Sequence, residues 1–402
     1  MSLRAARLVA AVCVACIWAG AAFLLWRSSV PSMHLPHVDT QHLFAAGTLR
    51  QADHYSRGAR AFWAASTVAE IAALLVFARW GARWMRESAA GRVGTGMLLG
   101  MLGFGLVWAA QLPFNVLKVW WNHRYGISGL TYVGVTVGNW LALGGTFVYL
   151  CLTLAIVMGF ARLVGDRWWL PAAPAFELLT LLFAFVTPGL LPGHGLRDPV
   201  LRRDAARLEQ KEGVHVPIRV MPGVSEPNAF STGLGPSRRV FMWEPIVEPP
   251  FTEKEDAVVI GHELGHLAHN HIWKQIGWYA LFAFPGAFII ARVTRRRGGM
   301  LNPEAVPLSL LVVVVLGLLQ LPLQNVITRH METEADWSAL QATRDPAGAA
   351  KLFKLFVPTT LSQPDPPTWD YVLLENHPTL AQRLAMVRVW ERRYATSAAQ
   401  SP

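Results

Sequence analysis

Long apolar runs recur along this chain and are separated by short polar segments. Seven of them approach or exceed the roughly 20 residues that an α-helix needs to cross about 30 Å of hydrocarbon. The runs are Leu8–Trp26, Ala61–Trp80, Gly96–Leu117, Val135–Val164, Trp168–Leu191, Ile276–Val293 and Ala305–Ile327. The pattern therefore predicts a mainly α protein, a seven-helix transmembrane bundle.

The first run is compatible with two kinds of segment. Arg4 and Arg7 precede it and Ala19–Ala21 supplies small residues, as in a cleaved secretory signal. The apolar stretch, however, is longer than the roughly 7–15 residues typical of such signals. We therefore expect an uncleaved membrane anchor.

Secondary-structure patterns in the longest polar insert predict a small folded unit. Arg202–Glu212 has the pattern of an amphipathic helix ended by Gly213. Thr252–Glu255 has the spacing of a capping box and begins another helix. Short strands are predicted at Ile218–Met221, Ala229–Thr232 and Arg239–Trp243.

The alternation of apolar and polar regions divides the chain into four parts. Residues 1–191 form an N-terminal membrane part with five spans, and residues 192–275 form the polar insert. Two further spans occupy residues 276–327, and a C-terminal polar part occupies residues 328–402.

Composition agrees with a membrane location and argues against nucleic-acid binding. The chain is 53% hydrophobic and only 15% charged, with a mean hydropathy of +0.31, whereas a soluble domain has about 25% charged residues. The net charge is +10, but most arginines flank apolar runs, where they stabilise the ends of membrane spans. We expect the lipid bilayer, and no nucleic acid, among the partners.

A metal-binding pattern follows the capping box. His262-Glu263-Leu264-Gly265-His266 matches H-E-x-x-H on the predicted helix. Residues four apart share a helix face, so both imidazoles can bind one zinc ion. Glu263 lies beside them, where it can accept a proton from an activated water. The motif predicts the catalytic centre of a zinc metalloprotease.

A catalytic zinc site needs a third protein ligand, and the continuation of the last span supplies a candidate. Glu332 and Asp336 are four residues apart and share a helix face. Glu332 is the predicted ligand, and Asp336 can orient a motif histidine by a hydrogen bond. Glu334 points elsewhere on this helix.

At these residues the chain resembles the type I CAAX prenyl endopeptidases, integral-membrane zinc metalloproteases. His271, five residues after His266, extends the motif as in that family, and the Glu332–Asp336 spacing is similar to its third-ligand helix. Further similarities are Tyr55–Gly58, Leu112–Phe114, Arg124–Ile127, Asn228–Phe230 followed by Gly233, and His377-Pro378 followed by Arg383. His269 departs from the family pattern.

The resemblance implies a fold and a set of roles. The membrane helices would enclose a large chamber, capped by a small gluzincin-type protease domain with a short β-sheet. Asn228, Ala229 and Phe230 would hold the substrate as an edge strand, while His377 and Arg383 would contact the scissile carbonyl. The spacing of His269 and His271 turns them away from the helix face that carries His262 and His266. We therefore expect neither of them to be a zinc ligand.

The resulting hypothesis is a zinc metalloendopeptidase with one Zn²⁺ ion, acting on membrane-associated proteins or peptides in the cell membrane. CAAX-box protein processing is implied by the resemblance, although the composition is typical of a GC-rich bacterium, in which prenylated substrates are not expected.

The resemblance places the catalytic face in the cytoplasm. The positive-inside rule argues for the reverse, because arginines cluster at Arg162–Arg167 and Arg295–Arg297 on the other side.

Three alternatives remain open from the sequence. A quality-control protease similar to the bacterial heat-shock membrane metalloprotease would share the zinc motif, although that group has fewer spans. A receptor or transporter would need ionisable residues within its spans, and Glu70 and Glu177 are the candidates. A catalytically silent scaffold would hold a structural zinc with no open ligand position.

Overall fold

The computed structural model of the chain describes residues 2–84, 90–127 and 131–398. Its α-helices are α1 (Leu3–Trp26), α2 (Ala46–Trp80), α3 (Gly91–Arg124), α4 (Tyr132–Val164), α5 (Trp169–Leu190), α6 (Pro199–Glu212), α7 (Glu253–Ala268), α8 (His271–Thr294), α9 (Val306–Thr343), α10 (Pro346–Thr360), α11 (Thr368–Leu373) and α12 (Leu380–Ala398). The strands are β1 (His194–Gly195), β2 (Ile218–Met221), β3 (Ala229–Thr232) and β4 (Arg239–Trp243).

Each predicted membrane span lies within one of the long helices or extends at most one residue beyond the end of that helix. In the described part of the chain, six helical stretches, built on α2, α3, α4, α5, α8 and α9, are long and apolar enough to cross a membrane. The apolar stretch described for α1, Val12–Trp26, is shorter, so the seventh span stays a prediction. The protein is a multi-pass membrane protein.

Two helices continue well beyond their apolar runs. The last apolar run ends at Ile327, and α9 continues without a break to Thr343 through Glu332 and Asp336, as the sequence predicted. The second span was predicted from Ala61, but α2 already begins at Ala46. These extensions couple the membrane helices rigidly to the polar part of the molecule.

The membrane helices surround a cavity of about 900 Å³. The described residues that line it come from α2, α3, α4, α5, α8 and α9, together with Trp168 and other residues of the connecting segments. α1 packs against α8, where Trp18 Nε1 donates to the Leu281 carbonyl at 3.1 Å. A side chain at Gly277 would collide with Leu25. The predicted chamber is therefore present in the described structure, with α1 packed on α8.

The small sheet lies outside the apolar helices and has the strand order β1-β2-β4-β3. β2 pairs with β4 in parallel, and β3 pairs with β4 antiparallel. The three predicted strands have the same bounds in the structure, while β1 was not predicted because it is only two residues long. This order leaves β3 at an edge of the sheet.

Helices α6, α7, α9, α10 and α12 bury one apolar core around the sheet. Ile260 and Leu264 of α7 are fully buried, as are Val240 and Met242 of β4. The predicted amphipathic helix is α6, and it ends at Gly213, whose φ of 64° is left-handed and favours glycine. This core holds α7 against α9.

The predicted capping box at the start of α7 is present, with the Thr252 backbone N–H donating to Glu255 Oε2 at 2.9 Å. One turn further, Asp256 is 4% exposed and its Oδ1 has no hydrogen-bond partner among the described residues. Burial, with added repulsion from Glu255, Glu253 and Asp198, raises the pKa of Asp256 to about 8. Below that pH the carboxyl is neutral in the folded protein.

Asp256→Asn is expected to stabilise the protein at alkaline pH. Between about pH 4 and pH 8 the unfolded chain has released this proton while the folded chain retains it, so stability falls as pH rises. Asparagine cannot ionise, so the variant avoids this loss. Its free energy of unfolding should exceed that of the unchanged protein by about 1–3 kcal/mol at pH 8, and the two should be nearly equal near pH 4. Thermal unfolding of the detergent-solubilised protein at both pH values measures it. Exposed Asp365→Asn is the control, and an equal gain at both pH values would contradict the prediction.

Candidate metal centre

α7 carries the two motif histidines into the interior. His262 and His266 are 8% and 9% exposed, and Glu263 is 5% exposed. The helix approaches α9 closely because both helices present small residues. A Cβ added at Gly265 would lie 2.9 Å from Ser338 Cβ, and one at Gly261 would lie 3.3 Å from Ala339 Cα. The glycine inside the motif thus permits the contact that brings α9 to the histidines.

Glu332 of α9 completes a three-residue cluster with these histidines. Its Oε2 lies 3.1 Å from His262 Nε2, and its Oε1 lies 3.5 Å from His266 Nε2. The two Nε2 atoms are 3.0 Å apart. One ligand atom from each residue lies within 4.8 Å of the others, a spacing that one metal ion can bridge.

The hydrogen bonds behind the imidazoles decide which ring nitrogens carry protons. His262 Nδ1 faces Asp336 Oδ1 at 2.9 Å, so it must donate, and in the neutral imidazole that binds a metal Nε2 is then the unprotonated nitrogen. His271 Nε2 donates to Glu334 Oε2 at 3.0 Å, so His271 Nδ1 accepts from His266 Nδ1 at 2.8 Å. Both motif histidines therefore direct an Nε2 lone pair toward the same point.

Glu334 has a role that sequence reasoning missed. It does point away from the Glu332 face, but this direction brings it to His271 and the back of the site. It is 2% exposed, and it accepts from Lys274 Nζ at 3.0 Å and from the Ser29 backbone N–H at 2.5 Å. The sequence contained one indication of this role, because His271 extends the histidine motif and Glu334 is a second acidic residue beside Glu332 on α9.

The environment keeps the carboxylates ionised. Burial raises the pKa of Glu334, but its hydrogen bonds from His271, Ser29 and Lys274 lower it far more. Burial likewise opposes ionisation of Asp336, and Arg383 and His262 lower the pKa of that carboxyl below its usual value. Burial lowers the pKa of His271 to about 4 despite Glu334, so this imidazole stays neutral.

His377 and Arg383 reach the cluster from the C-terminal part. His377 Nε2 lies 3.2 Å from Glu332 Oε2, and its side chain is 44% exposed. Arg383 donates from Nε and Nη2 to the two oxygens of Asp336, at 2.8 and 2.5 Å. Its guanidinium carbon also lies 4.1 Å from the centre of the Phe353 ring. His377 is therefore open to a ligand, whereas Arg383 is engaged with Asp336.

A cavity of about 310 Å³ joins these groups to the sheet edge. Its wall includes Glu263, the three cluster residues, Asn228 and the first residues of β3, Ala229 and Phe230. Gln275 borders both this cavity and the larger membrane cavity. A bound chain could therefore contact the sheet edge, the acid–base candidate and the metal ligands together.

The donor set fits a divalent metal. In the neutral imidazoles, two Nε2 lone pairs 3.0 Å apart repel each other unless a cation lies between them. Glu332 Oε2 is buried and makes no hydrogen bond of acceptable geometry with described residues, although two imidazoles lie close to it. Two imidazoles and a carboxylate form a typical catalytic zinc set.

Comparison with known proteins finds metalloproteases similar to this chain. Residues 196–391 match the model of peptidase family M48, and this segment contains the three cluster residues. The chain is also 25% identical over 292 residues to the uncharacterized metalloprotease YhfN of Bacillus subtilis (strain 168), covering 68% of each chain. The protein is therefore a membrane metalloendopeptidase, as the sequence predicted.

Two further similarities support the predicted relationship to the type I CAAX endopeptidases. Over 201 residues the chain is 26% identical to the probable CAAX prenyl protease 1 of Schizosaccharomyces pombe, covering 44% of this chain and 41% of that protein. The crystal structure of S. mikatae Ste24p superposes with a TM-score of 0.75 at 18% identity, covering 92% of this chain and 96% of that one. The chain thus has the same overall fold as that structure.

The match to the M48 model and the similarity to metalloproteases also distinguish between classes of protein. A receptor or transporter is not supported, and Glu70, one of its two candidate residues, accepts a hydrogen bond from Gln111 Nε2 at 3.1 Å. A structural zinc site in a silent scaffold is not supported either, because the cluster opens onto a cavity beside Glu263.

Glu334→Gln is expected to weaken zinc binding about 10-fold or more, because loss of the negative charge weakens the hydrogen-bond chain that orients His266. Competition with a fluorescent zinc chelator measures the affinity. Glu253→Gln, on the exposed first turn of α7, is the control. A zinc affinity equal to that of the unchanged protein would contradict the role of Glu334.

Proposed function

We propose that this peptidase hydrolyses peptide bonds of membrane-associated proteins with a single Zn²⁺ ion held by His262, His266 and Glu332. The observation that carries the proposal is the convergence of two imidazole nitrogens and one carboxylate at the wall of an open cavity. Three protein ligands leave one position for water or substrate, as hydrolysis requires.

The residues around the ion have separate roles. When bound, zinc lowers the pKa of a water toward about 7 and polarises a carbonyl. Glu263 accepts a proton from the attacking water and later delivers it to the leaving amine. Asp336 and His271 hold the ligand imidazoles in the required tautomers.

The developing oxyanion needs a hydrogen-bond donor. His377 is the better placed of the two predicted groups, because its imidazole is half exposed and lies beside Glu332. Arg383 lines the same cavity but donates to both oxygens of Asp336. We assign Arg383 a positioning role, in which it fixes the carboxylate that orients His262.

The edge position of β3 supports binding of the substrate as an added strand. Asn228 and Phe230 border the cavity at this edge, and the Asn228 carbonyl already accepts from the Trp243 N–H at 2.8 Å. Main-chain hydrogen bonds need little side-chain selectivity. The substrate is then a peptide or protein segment in extended conformation, and not a nucleic acid.

Metal removal tests the proposed function. A chelator such as 1,10-phenanthroline should abolish cleavage of casein by the detergent-purified protein, and added Zn²⁺ should restore it. Elemental analysis should find one zinc per chain. Full activity in a preparation with less than about a tenth of an equivalent of zinc would refute the proposal.

Substrate trapping in native membranes then separates a specific processing enzyme from a quality-control protease. The Glu263→Gln protein should retain what it cannot cleave. A small defined set of membrane-associated proteins supports processing, and a broad set of misassembled membrane proteins supports quality control. Glu253→Gln, which keeps the acid–base residue, is the control for nonspecific capture.

For location, we propose the cell membrane with the catalytic face in the cytoplasm, following the resemblance. Arginines near the other helix ends, such as Arg295–Arg297, provide the argument for the reverse orientation. Pro236→Cys, in the exposed turn after β3, distinguishes the two in a background without the native cysteines. Labelling by an impermeant maleimide only after the membrane is opened supports the proposal, and labelling of intact cells refutes it.

A further inference from the structure

The segment that carries His377 is held against α9. His377 follows α11 by four residues, and its imidazole contacts the neighbouring Asn376 Oδ1 at 2.7 Å and Glu332 Oε2 at 3.2 Å. The ring itself is half exposed, so its position depends on the backbone of the preceding residues. The contacts of residues 370–375 therefore determine where the imidazole lies.

Arg329 makes the main contacts to this backbone. Its Nη1 donates to the Tyr371 carbonyl at 2.7 Å and to the Glu375 carbonyl at 2.5 Å. Its guanidinium carbon lies 4.1 Å from the centre of the Tyr371 ring, and the residue is 7% exposed. These acceptors lie in the last turn of α11 and just after it, where helix carbonyls lack partners within the helix.

The contacts come from the face of α9 that carries the metal ligand. Asn325 Nδ2 donates to the Val372 carbonyl at 3.2 Å, one turn before Arg329. Positions 325, 329, 332 and 336 follow the i, i+4, i+7, i+11 spacing of one helix face. A single rigid helix therefore holds Glu332, Asp336 and the support of the His377 segment in one fixed arrangement.

The other end of the segment is attached to the membrane part. Arg60 of α2 donates from Nη1 to Asp370 Oδ2 at 2.5 Å and to Gln363 Oε1 at 2.6 Å. The Arg60 and Asp370 side chains are 10% and 6% exposed. α11 is thus fixed between α2 and α9, and Arg329 is the contact nearest to His377.

We propose that Arg329 is a positioning residue that sets His377 against the reacting carbonyl. The inference rests on the proposed function, since it assumes that His377 donates to the oxyanion. The two carbonyls and the Tyr371 ring match the planar guanidinium, which can donate to both acceptors while it stacks. A lysine ammonium keeps the charge but not this geometry.

The test uses Arg329→Lys, His377→Ala and the double variant, each purified with zinc and assayed on a quenched fluorescent peptide. Arg329→Lys should keep its zinc and lower kcat about 10- to 100-fold, with KM within about twofold. In the His377→Ala background the same change should cause no further loss, because the group it positions is gone. Exposed Arg207→Lys is the control.

Two outcomes would overturn the inference. An equal loss of kcat with and without His377, or a loss of zinc, assigns Arg329 a purely structural role. If Arg329→Lys does not fold, Asn325→Ala carries the test, with a smaller loss that must also vanish in the His377→Ala background. Failure of the proposed function is distinguishable, because the unchanged, zinc-loaded protein would then not cleave the peptide at all.

Discussion

Glu263→Gln should abolish proteolysis while zinc stays bound. The amide keeps the size of the side chain but cannot accept a proton from the attacking water, and loss of a general base lowers kcat by about 10²- to 10⁴-fold. The proposed zinc ligands His262 and His266 are unchanged, so elemental analysis should still find one zinc per chain. Cleavage of casein or a fluorescent peptide measures kcat.

The matched control is Glu253→Gln, which makes the same chemical change in the first turn of the same helix. It should retain the kcat of the unchanged protein. If Glu263→Gln kept that kcat as well, another group would have to be the base, and the assignment of Glu263 would be wrong.

Glu332→Ala should lose both activity and metal. The carboxylate is one of the three proposed ligands, and the remaining imidazoles supply no negative charge to balance the ion. Zinc affinity should fall by more than about 100-fold, beyond the range found for residues that only support a ligand. Dialysis against a weak chelator, followed by elemental analysis, measures the zinc retained.

Thr333→Ala serves as the control for Glu332→Ala, because its hydroxyl donates to the Arg329 carbonyl within α9 and not to the site. It should retain zinc. Retention of zinc by Glu332→Ala at the level of the control would show that another group completes the site, and the three-residue assignment would fail.

Much of the fold could be predicted from the lengths of the apolar runs and from local residue patterns. Apolar run length predicted the membrane helices, and the strands were predicted with their observed bounds, because both depend on local sequence. The continuation of the last span as a helix through Glu332 and Asp336 was also predicted. The early start of α2 at Ala46 was not, because an apolar-run criterion stops where polar residues begin. In α9, Arg329, Glu332, Glu334 and Asp336 are buried by the protease part and not exposed to water.

The sequence also identified the candidate residues of the site, and the structure brings His262, His266, Glu332, Asp336, His271 and His377 together. It did not identify the buried role of Glu334 or the engagement of Arg383 by Asp336. Both depend on contacts between residues far apart in the chain. Ser29, for example, donates to Glu334 across 305 positions.

By itself, the sequence determined that His262 and His266 share a helix face and that Glu332 and Asp336 share another, because helical spacing is a local property. Only the tertiary structure decided that these two faces meet. That meeting depends on the close approach of Gly261 and Gly265 to Ser338 and Ala339. It also required an apolar core that offsets the cost of burying three carboxylates, each stabilised by an imidazole, an arginine or a lysine. Long-range packing of this kind depends on the whole chain and not on any single segment.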